Sequence, residues 1–321
     1  MKIIFHEYQL NYRGTSAAIF DYARYNQTLL NNESIILYNR TNPNNFSSAI
    51  DHFKANFNVI GYESTEDLEK IVSHEKADVF YAIKSGEKDG IEVSNCKTCI
   101  HTVFKNYEPH GDVYAYVSEW LSEVMTQGKS PYVPHIVNLP EHSGDLRKEL
   151  NIPKDAIVFG RHGGADTFDI GFVTQTIAKL ARKRKDLYFI FLGTNPFVKK
   201  SFFRPYNNII FLPPNINVEY KVKFINTCDA YIHARRRGET FGLAIGEFSI
   251  KNKPIITWSE SEEKSHLNIL GDKAILYKTK DELYSLLQNF IPNPHCNWDC
   301  YSDLFSPKRV MDKFNKVFME H

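Results

Sequence analysis

The chain has 321 residues, 42% of them apolar and 14% aromatic, which is enough for two domains with sizeable cores and excludes an intrinsically disordered protein. Its net charge of +1 is unevenly spread, with 12 Lys+Arg against 17 Asp+Glu in residues 1–139 and 27 against 21 in the remainder, and neither part carries the dense basic patch of a nucleic-acid binder. No apolar run is long enough to span a bilayer and Met1–Glu7 lacks the long apolar region of a secretory leader, so the expectation is a cytoplasmic protein with no nucleic-acid partner, no transmembrane segment and no indicated membrane contact.

In chain order, Lys2–His6 reads as a strand, and Gly14-Thr15-Ser16 leads into a helical pattern that runs to about Leu30. Ser34–Tyr38 is strand-like, Ile50–Phe57 helical, and Asn58-Val59-Ile60 extended again. Thr65–Ser73 is a helix with Ser64 as its expected cap and acids in the first turn. Asp78–Ile83, Thr98–Phe104 and Val113–Val117 are strands, and Ser118 caps a helix over Ser118–Met125. Pro131, Pro134, Pro140 and Pro153 with the polar run Glu141–Asp145 mark a boundary, followed by a short helix over Asp145–Leu150. Beyond it the alternation resumes: strands at Ala156–Gly160, Leu187–Leu192, Asn208–Leu212, Asp229–His233, Pro254–Trp258 and Lys273–Tyr277, helices at Ile170–Arg184, Val218–Asn226, from near Gly242, and at Lys280–Phe290. A last helix spans Ser306–Glu320 with Pro307 in its first turn. Alternation of this kind predicts an α/β protein with parallel sheets covered on both faces.

The segment Arg237-Gly238-Glu239-Thr240-Phe241-Gly242-Leu243-Ala244-Ile245-Gly246-Glu247 concentrates the chemistry. It places one carboxylate in a loop at the carboxyl end of a strand and a second more than one turn into the following helix. The free N–H groups at the helix start suit a diphosphate, and carboxylates accept from paired sugar hydroxyls. Phe159-Gly160-Arg161-His162-Gly163-Gly164 supplies a guanidinium for phosphate oxygens beside glycines that permit close backbone approach.

Glu239-x7-Glu247, with Phe241-Gly242-Leu243 inside it, resembles the E-x7-E motif of retaining GT-B-fold glycosyltransferases of family 4. The resemblance covers most of the second half at motif level and the first half only in architecture. It implies two Rossmann-like domains with a cleft between them: an acceptor-side domain over 1–138, a linker over 139–152, a nucleotide-sugar-binding domain over 153–305, and a C-terminal helix over 306–321 packing back on the first. It implies that Glu239 contacts the transferred sugar, that Glu247 contacts the donor ribose, that the backbone around Phe241, Gly242 and Leu243 meets sugar and phosphate, and that Arg161 with Gly163 and Gly164 holds the diphosphate. His101 is the implied histidine facing the donor sugar, and Gly14-Thr15 with His110 lie on the acceptor side. The loops at Gly193-Thr194 and Pro213–Asn215 are the expected floor for the nucleobase.

The chain departs from that family where a Lys usually follows the Arg, carrying Ala165-Asp166-Thr167-Phe168-Asp169 instead. One of Arg235, Arg236 and Arg237 is the expected replacement, with Asp166 and Asp169 as acids at a helix start. The resemblance implies a nucleotide-diphosphate-sugar as substrate, an acceptor the sequence leaves open, and no metal or other cofactor. A catalytically degenerate nucleotide-sugar binder and a sugar-nucleotide epimerase on the same scaffold are the alternatives. Cys96-x2-Cys99 and Cys296-x3-Cys300 could together supply four zinc ligands, but the two pairs lie about 200 positions apart and Cys99 falls in an expected buried strand, so they read as unrelated thiols.

Overall fold

Runs such as Ile3-Ile4-Phe5 and Leu187–Leu192 are apolar at consecutive positions, so a strand built from them must be covered on both faces, as in a parallel sheet flanked by helices. The computed structural model, which describes residues 1–199 and 205–320, has two such sheets. The first contains β1 (Lys2–Glu7), β2 (Glu33–Asn39), β3 (Asn58–Tyr62), β4 (Val79–Lys84), β5 (Lys97–Thr102) and β6 (Val113–Tyr116), with helices α1 (Gly14–Thr28), α2 (Ser47–Lys54), α3 (Glu66–Glu75) and α4 (Glu119–Thr126). The second contains β7 (Ile157–His162), β8 (Leu187–Leu192), β9 (Ile209–Leu212), β10 (Ala230–Ile232), β12 (Ile255–Trp258) and β14 (Ile275–Tyr277), with α5 (Gly171–Lys183), α6 (Val218–Thr227), α7 (Leu243–Ile250), α8 (Ser265–Leu270) and α9 (Lys280–Gln288). A parallel two-residue ribbon, β11 (Gly238–Glu239) and β13 (Glu263–Lys264), stands apart from the second sheet.

Both sheets are wound in the same order. The first reads β3-β2-β1-β4-β5-β6 and the second β9-β8-β7-β10-β12-β14, all parallel. This is the doubly wound Rossmann order, which opens a crevice at the carboxyl ends of the two central strands, where successive connections leave in opposite directions. In the second unit those strands are β7 and β10, which end at His162 and Ile232. The chain divides into two compact units, Met1–Ile136 with the segment from Leu304 onward, and Val137–Asp303.

In the first unit, helix α10 (Pro307–Phe314) and the π-turn Asn315–Met319 close one face of the sheet. Phe314 stacks on Phe5 and Tyr22 and tilts against Tyr81, and Phe318 meets Tyr81 and His101. Several elements depart from the sequence expectation. Asp145–Leu150 forms turns instead of a helix, and α3 is not capped by Ser64: the Asp67 carboxylate accepts from the Glu63 and Ser64 N–H groups from inside the helix. No helix among the described residues is long and apolar enough to cross a membrane.

Candidate functional site

The site of the second unit begins where β10 ends. The chain leaves the sheet at His233, turns through a bond from Gly238 N–H to the Arg235 carbonyl, and pairs β11 with β13. Gly238 sits at φ +78°, and a Cβ there would fall 2.1 Å from the Glu263 carbonyl oxygen, so only glycine permits this pairing. The ribbon fixes the backbone of Glu239. Its Oε2 accepts from Arg235 Nη1 at 2.8 Å, and its Oε1 lies 3.4 Å from His233 Nε2. Burial alone would raise this carboxyl, but the His233 hydrogen bond and the Arg235 charge outweigh it and bring the pKa down to about 2.

Helix α7 follows. Its N-cap is Gly242, at φ +92°, with no side-chain cap and no acid in the first turn, so the leading N–H groups keep the positive end of the helix dipole. Glu247 lies in its second turn and is nearly buried, its side chain 7% exposed. One oxygen takes Lys221 Nζ from α6 at 2.6 Å, and the other lies 2.8 Å from His162 Nε2 at the end of β7. Burial would again raise the carboxyl, yet the Lys221 charge and His162 hold it at about 2. A carboxylate has about four acceptor positions, so each glutamate, with one partner per oxygen, keeps acceptor capacity for a ligand.

Arg161, on β7, is 3% exposed. Its guanidinium donates to Thr194 Oγ1, to Thr167 Oγ1 at 2.5 Å and to the Gly164 carbonyl, and it lies over the Phe168 ring, while its Nε has no partner. A Cβ on Gly163 would come 2.8 Å from Arg161 Nη2, which explains a glycine at that turn. The Gly193 loop closes against the same turn, because a Cβ there would be 3.3 Å from the Gly163 carbonyl. Pro213 and Asn215 are exposed just after β9. Tyr231, on β10, is buried and donates its hydroxyl to the His162 carbonyl at 3.4 Å.

The three consecutive arginines are not equivalent. Arg235 is bound to Glu239 and Arg237 to Glu263, while Arg236 donates its main-chain N–H to Asp169 and has an exposed side chain without a partner among the described residues. Asp166 and Asp169 are not acids of a helix start: α5 has none in its first turn, and the two instead accept from Asn195 Nδ2 and Arg236 N. Phe241 is buried, edge-on to Tyr301.

The remaining sequence candidates lie in the first unit. His101 is fully buried, with Nδ1 2.5 Å from the Tyr81 hydroxyl, and burial lowers its pKa to about 3. His110 is buried between Lys84 Nζ at 3.0 Å and the Glu108 carbonyl at 2.6 Å. Gly14 opens α1, and the Thr15 hydroxyl donates to Glu7 Oε1 at 3.3 Å. Cys96 and Cys99 belong to this unit and Cys296 and Cys300 to the other, and no grouping of metal-ligating side chains occurs among the described residues. Four residues of this site escaped the sequence: His233, the first residue after β10, His162 beside Arg161, and Lys221 and Tyr231, which carry no local signal.

Removing one member of the Glu247 pair tests its energetics. Lys221→Met removes the cation beside Glu247 and leaves only His162, whose ring burial holds below its ordinary pKa and so neutral at pH 7; it is expected to destabilise the second unit by about 3 kcal/mol at pH 7. Urea denaturation checks this, and the double variant Lys221→Met/Glu247→Gln should recover part of the loss.

No family model matches the sequence, and no curated protein matches it. The solved structures do. Anabaena Alr3699/HepE in complex with UDP-glucose superposes with a TM-score of 0.76 at 13% identity, over 100% of both chains. WaaG, a glycosyltransferase involved in lipopolysaccharide biosynthesis, matches at 0.69 and 10% identity, over 99% of this chain and 100% of the other. A Listeria monocytogenes structure assigned provisionally as a UDP-N-acetylglucosamine 2-epimerase matches at 0.61 and 10% identity, over 100% and 97%. The chain therefore has the GT-B fold, two Rossmann-like domains with all-parallel six-stranded sheets.

Proposed function

We propose that this protein is a retaining glycosyltransferase that moves a sugar from a nucleotide-diphosphate-sugar to a separate acceptor without a metal ion. The reading rests on one observation above others: two carboxylates, Glu239 and Glu247, kept ionised by dedicated cationic or hydrogen-bonding partners on either side of an uncapped helix start. Glu239 orients the sugar and Glu247 the ribose. The N-terminus of α7 and the unpaired Arg236 stabilise charge on the leaving diphosphate, with Arg161 holding the Gly163–Gly164 turn beside them. The diphosphate itself takes the acceptor proton, so no protein nucleophile is assigned. Solved structures of the same fold with UDP or UDP-glucose support a nucleotide-sugar donor.

The test is calorimetric titration with a panel of nucleoside diphosphates and their sugar conjugates, followed by NMR of the products. Binding of one diphosphate family and release of a sugar with unchanged anomeric configuration is the expected result. Tight binding with no release over days would instead establish a degenerate binder, and a changed ring configuration on an intact donor would establish an epimerase.

A further inference from the structure

Behind Glu239 runs a row of three buried side chains whose protons can be assigned from their contacts. His233 Nε2 faces Glu239 Oε1 at 3.4 Å, His233 Nδ1 faces the Thr257 hydroxyl at 2.9 Å, and that hydroxyl faces His266 Nε2 at 3.2 Å. His233 is 2% exposed and Thr257 and His266 are 0% exposed. At the far end, His266 Nδ1 has no partner.

A carboxylate only accepts, so His233 Nε2 must carry a hydrogen. In a neutral ring Nδ1 is then a lone pair, and Thr257 must spend its single proton on it. The hydroxyl oxygen is left to accept from His266 Nε2–H, and His266 Nδ1 becomes a bare lone pair. That end state agrees with the lack of any acceptor in hydrogen-bond geometry at Nδ1, since a buried acceptor without a partner is tolerated better than a buried N–H. The reverse polarity turns a lone pair toward Glu239 and strands an N–H on His266. A doubly protonated His233 also turns Thr257 around and strands the same N–H. The other polar groups around Glu239 do not compete for the row: Arg235 holds the opposite carboxylate oxygen, Tyr231 donates to the His162 carbonyl, and Tyr301 donates to the Phe241 carbonyl.

We infer that Thr257 and His266 are positioning residues that hold His233 in the Nε2–H tautomer, so that Glu239 is presented as a fixed, acceptor-only carboxylate that selects a sugar by its hydroxyl donors. This role rests on the reading of Glu239 as the sugar-binding acid. Sugars lacking the hydroxyl that Glu239 receives, or bearing an anion there, are disfavoured because the carboxylate has no proton to offer.

Ring-nitrogen NMR of the full-length protein tests the row without any substrate. Wild type should show His233 and His266 as Nε2–H tautomers. Thr257→Val, which keeps the shape and removes the hydroxyl, should shift His233 to a mixture and lower kcat about tenfold with nucleoside-diphosphate affinity unchanged, and Thr257→Ser should restore both. His233→Gln, which keeps a donor at the outer position, should retain about ten times the turnover of His233→Asn, which keeps only the Thr257 contact. An Nδ1–H tautomer at His233 in wild type, or a tautomer indifferent to Thr257→Val, overturns the proposal even if the valine variant folds poorly, because the first readout needs no variant. A wild-type protein that transfers no sugar overturns the reading of the site instead, and the ring nitrogens still decide the row.

Discussion

Glu239→Ala is expected to lower kcat about 10²-fold while changing nucleoside-diphosphate affinity by less than about threefold, and Glu247→Ala is expected to show the opposite split. The difference follows from what each side chain touches. Glu239 is held by Arg235 and His233 at the carboxyl end of β10, in front of the helix start, where the reacting end of a donor would lie. If Glu239 orients the sugar, its loss removes an interaction with the part of the substrate that changes in the transition state. Glu247 is set back in the second turn of α7 and anchored to Lys221 and His162, away from the helix tip. If Glu247 binds the ribose, its loss removes binding common to ground and transition states, which raises KM and leaves kcat largely intact. Glu247→Ala also strands Lys221, so its thermal stability should be measured beside its kinetics. Equal effects of the two substitutions on both parameters would reject the division of labour.

A second large effect is expected in the first unit. Glu7 ends β1 almost fully buried, with Oε2 lacking any partner, and burial pushes its carboxyl up to about 8 despite the Thr15 hydrogen bond. The sign follows from linkage. Below about pH 4.5 the group is protonated in folded and unfolded chains alike and costs nothing. Between 4.5 and 8 the unfolded chain ionises and the folded one does not, so a deficit grows with pH and levels off above 8. Glu7→Gln keeps the shape and the acceptor for Thr15 and never ionises. It should therefore stabilise the first unit by about 2 kcal/mol at pH 7, by more at pH 8, and by nothing near pH 4.5. The buried His6, His101 and His135, each lowered to about 3 by burial, act in the opposite sense below pH 6.5, since the unfolded chain takes up protons that the folded one refuses. They are common to both proteins and cancel in the comparison. Urea denaturation at pH 4.5, 7 and 8, followed through Trp120 of that unit, decides it. A wild type as stable as the variant at all three values would mean that Glu7 is ionised in the fold.

The architecture was legible because its signals are local. Uninterrupted apolar runs such as Ile3–Phe5 and Leu187–Leu192 admit only covered strands, and their alternation with helical patterns leaves few topologies besides parallel ones. Boundaries were less legible where side chains competed with the expected pattern. Helix α2 begins at Ser47, not Ile50, because the single Phe46 carbonyl already accepts from the N–H groups of both Ala49 and Ile50. Within the site, Glu239 and Glu247 could be read together because a single strand–helix unit carries both. Their partners could not. Lys221 and His162 reach Glu247 from α6 and β7, Thr257 and His266 line up behind His233 from β12 and α8, and sheet order, which no short spacing encodes, decides who meets whom. The three arginines looked interchangeable as letters. The turn closed by Gly238 assigns two of them to glutamates and leaves Arg236 exposed.

The placement of α10 has a consequence for how the molecule comes into being. Phe314 and Phe318 complete the aromatic layer over Phe5, Tyr22 and Tyr81, so the first unit takes its last core residues from the far end of the chain. A ribosome delivers Phe5 early and Phe314 only after the whole second unit has been made. The nascent first unit must therefore wait with part of its interior open to water, the interval in which an unfinished parallel sheet is most exposed to aggregation.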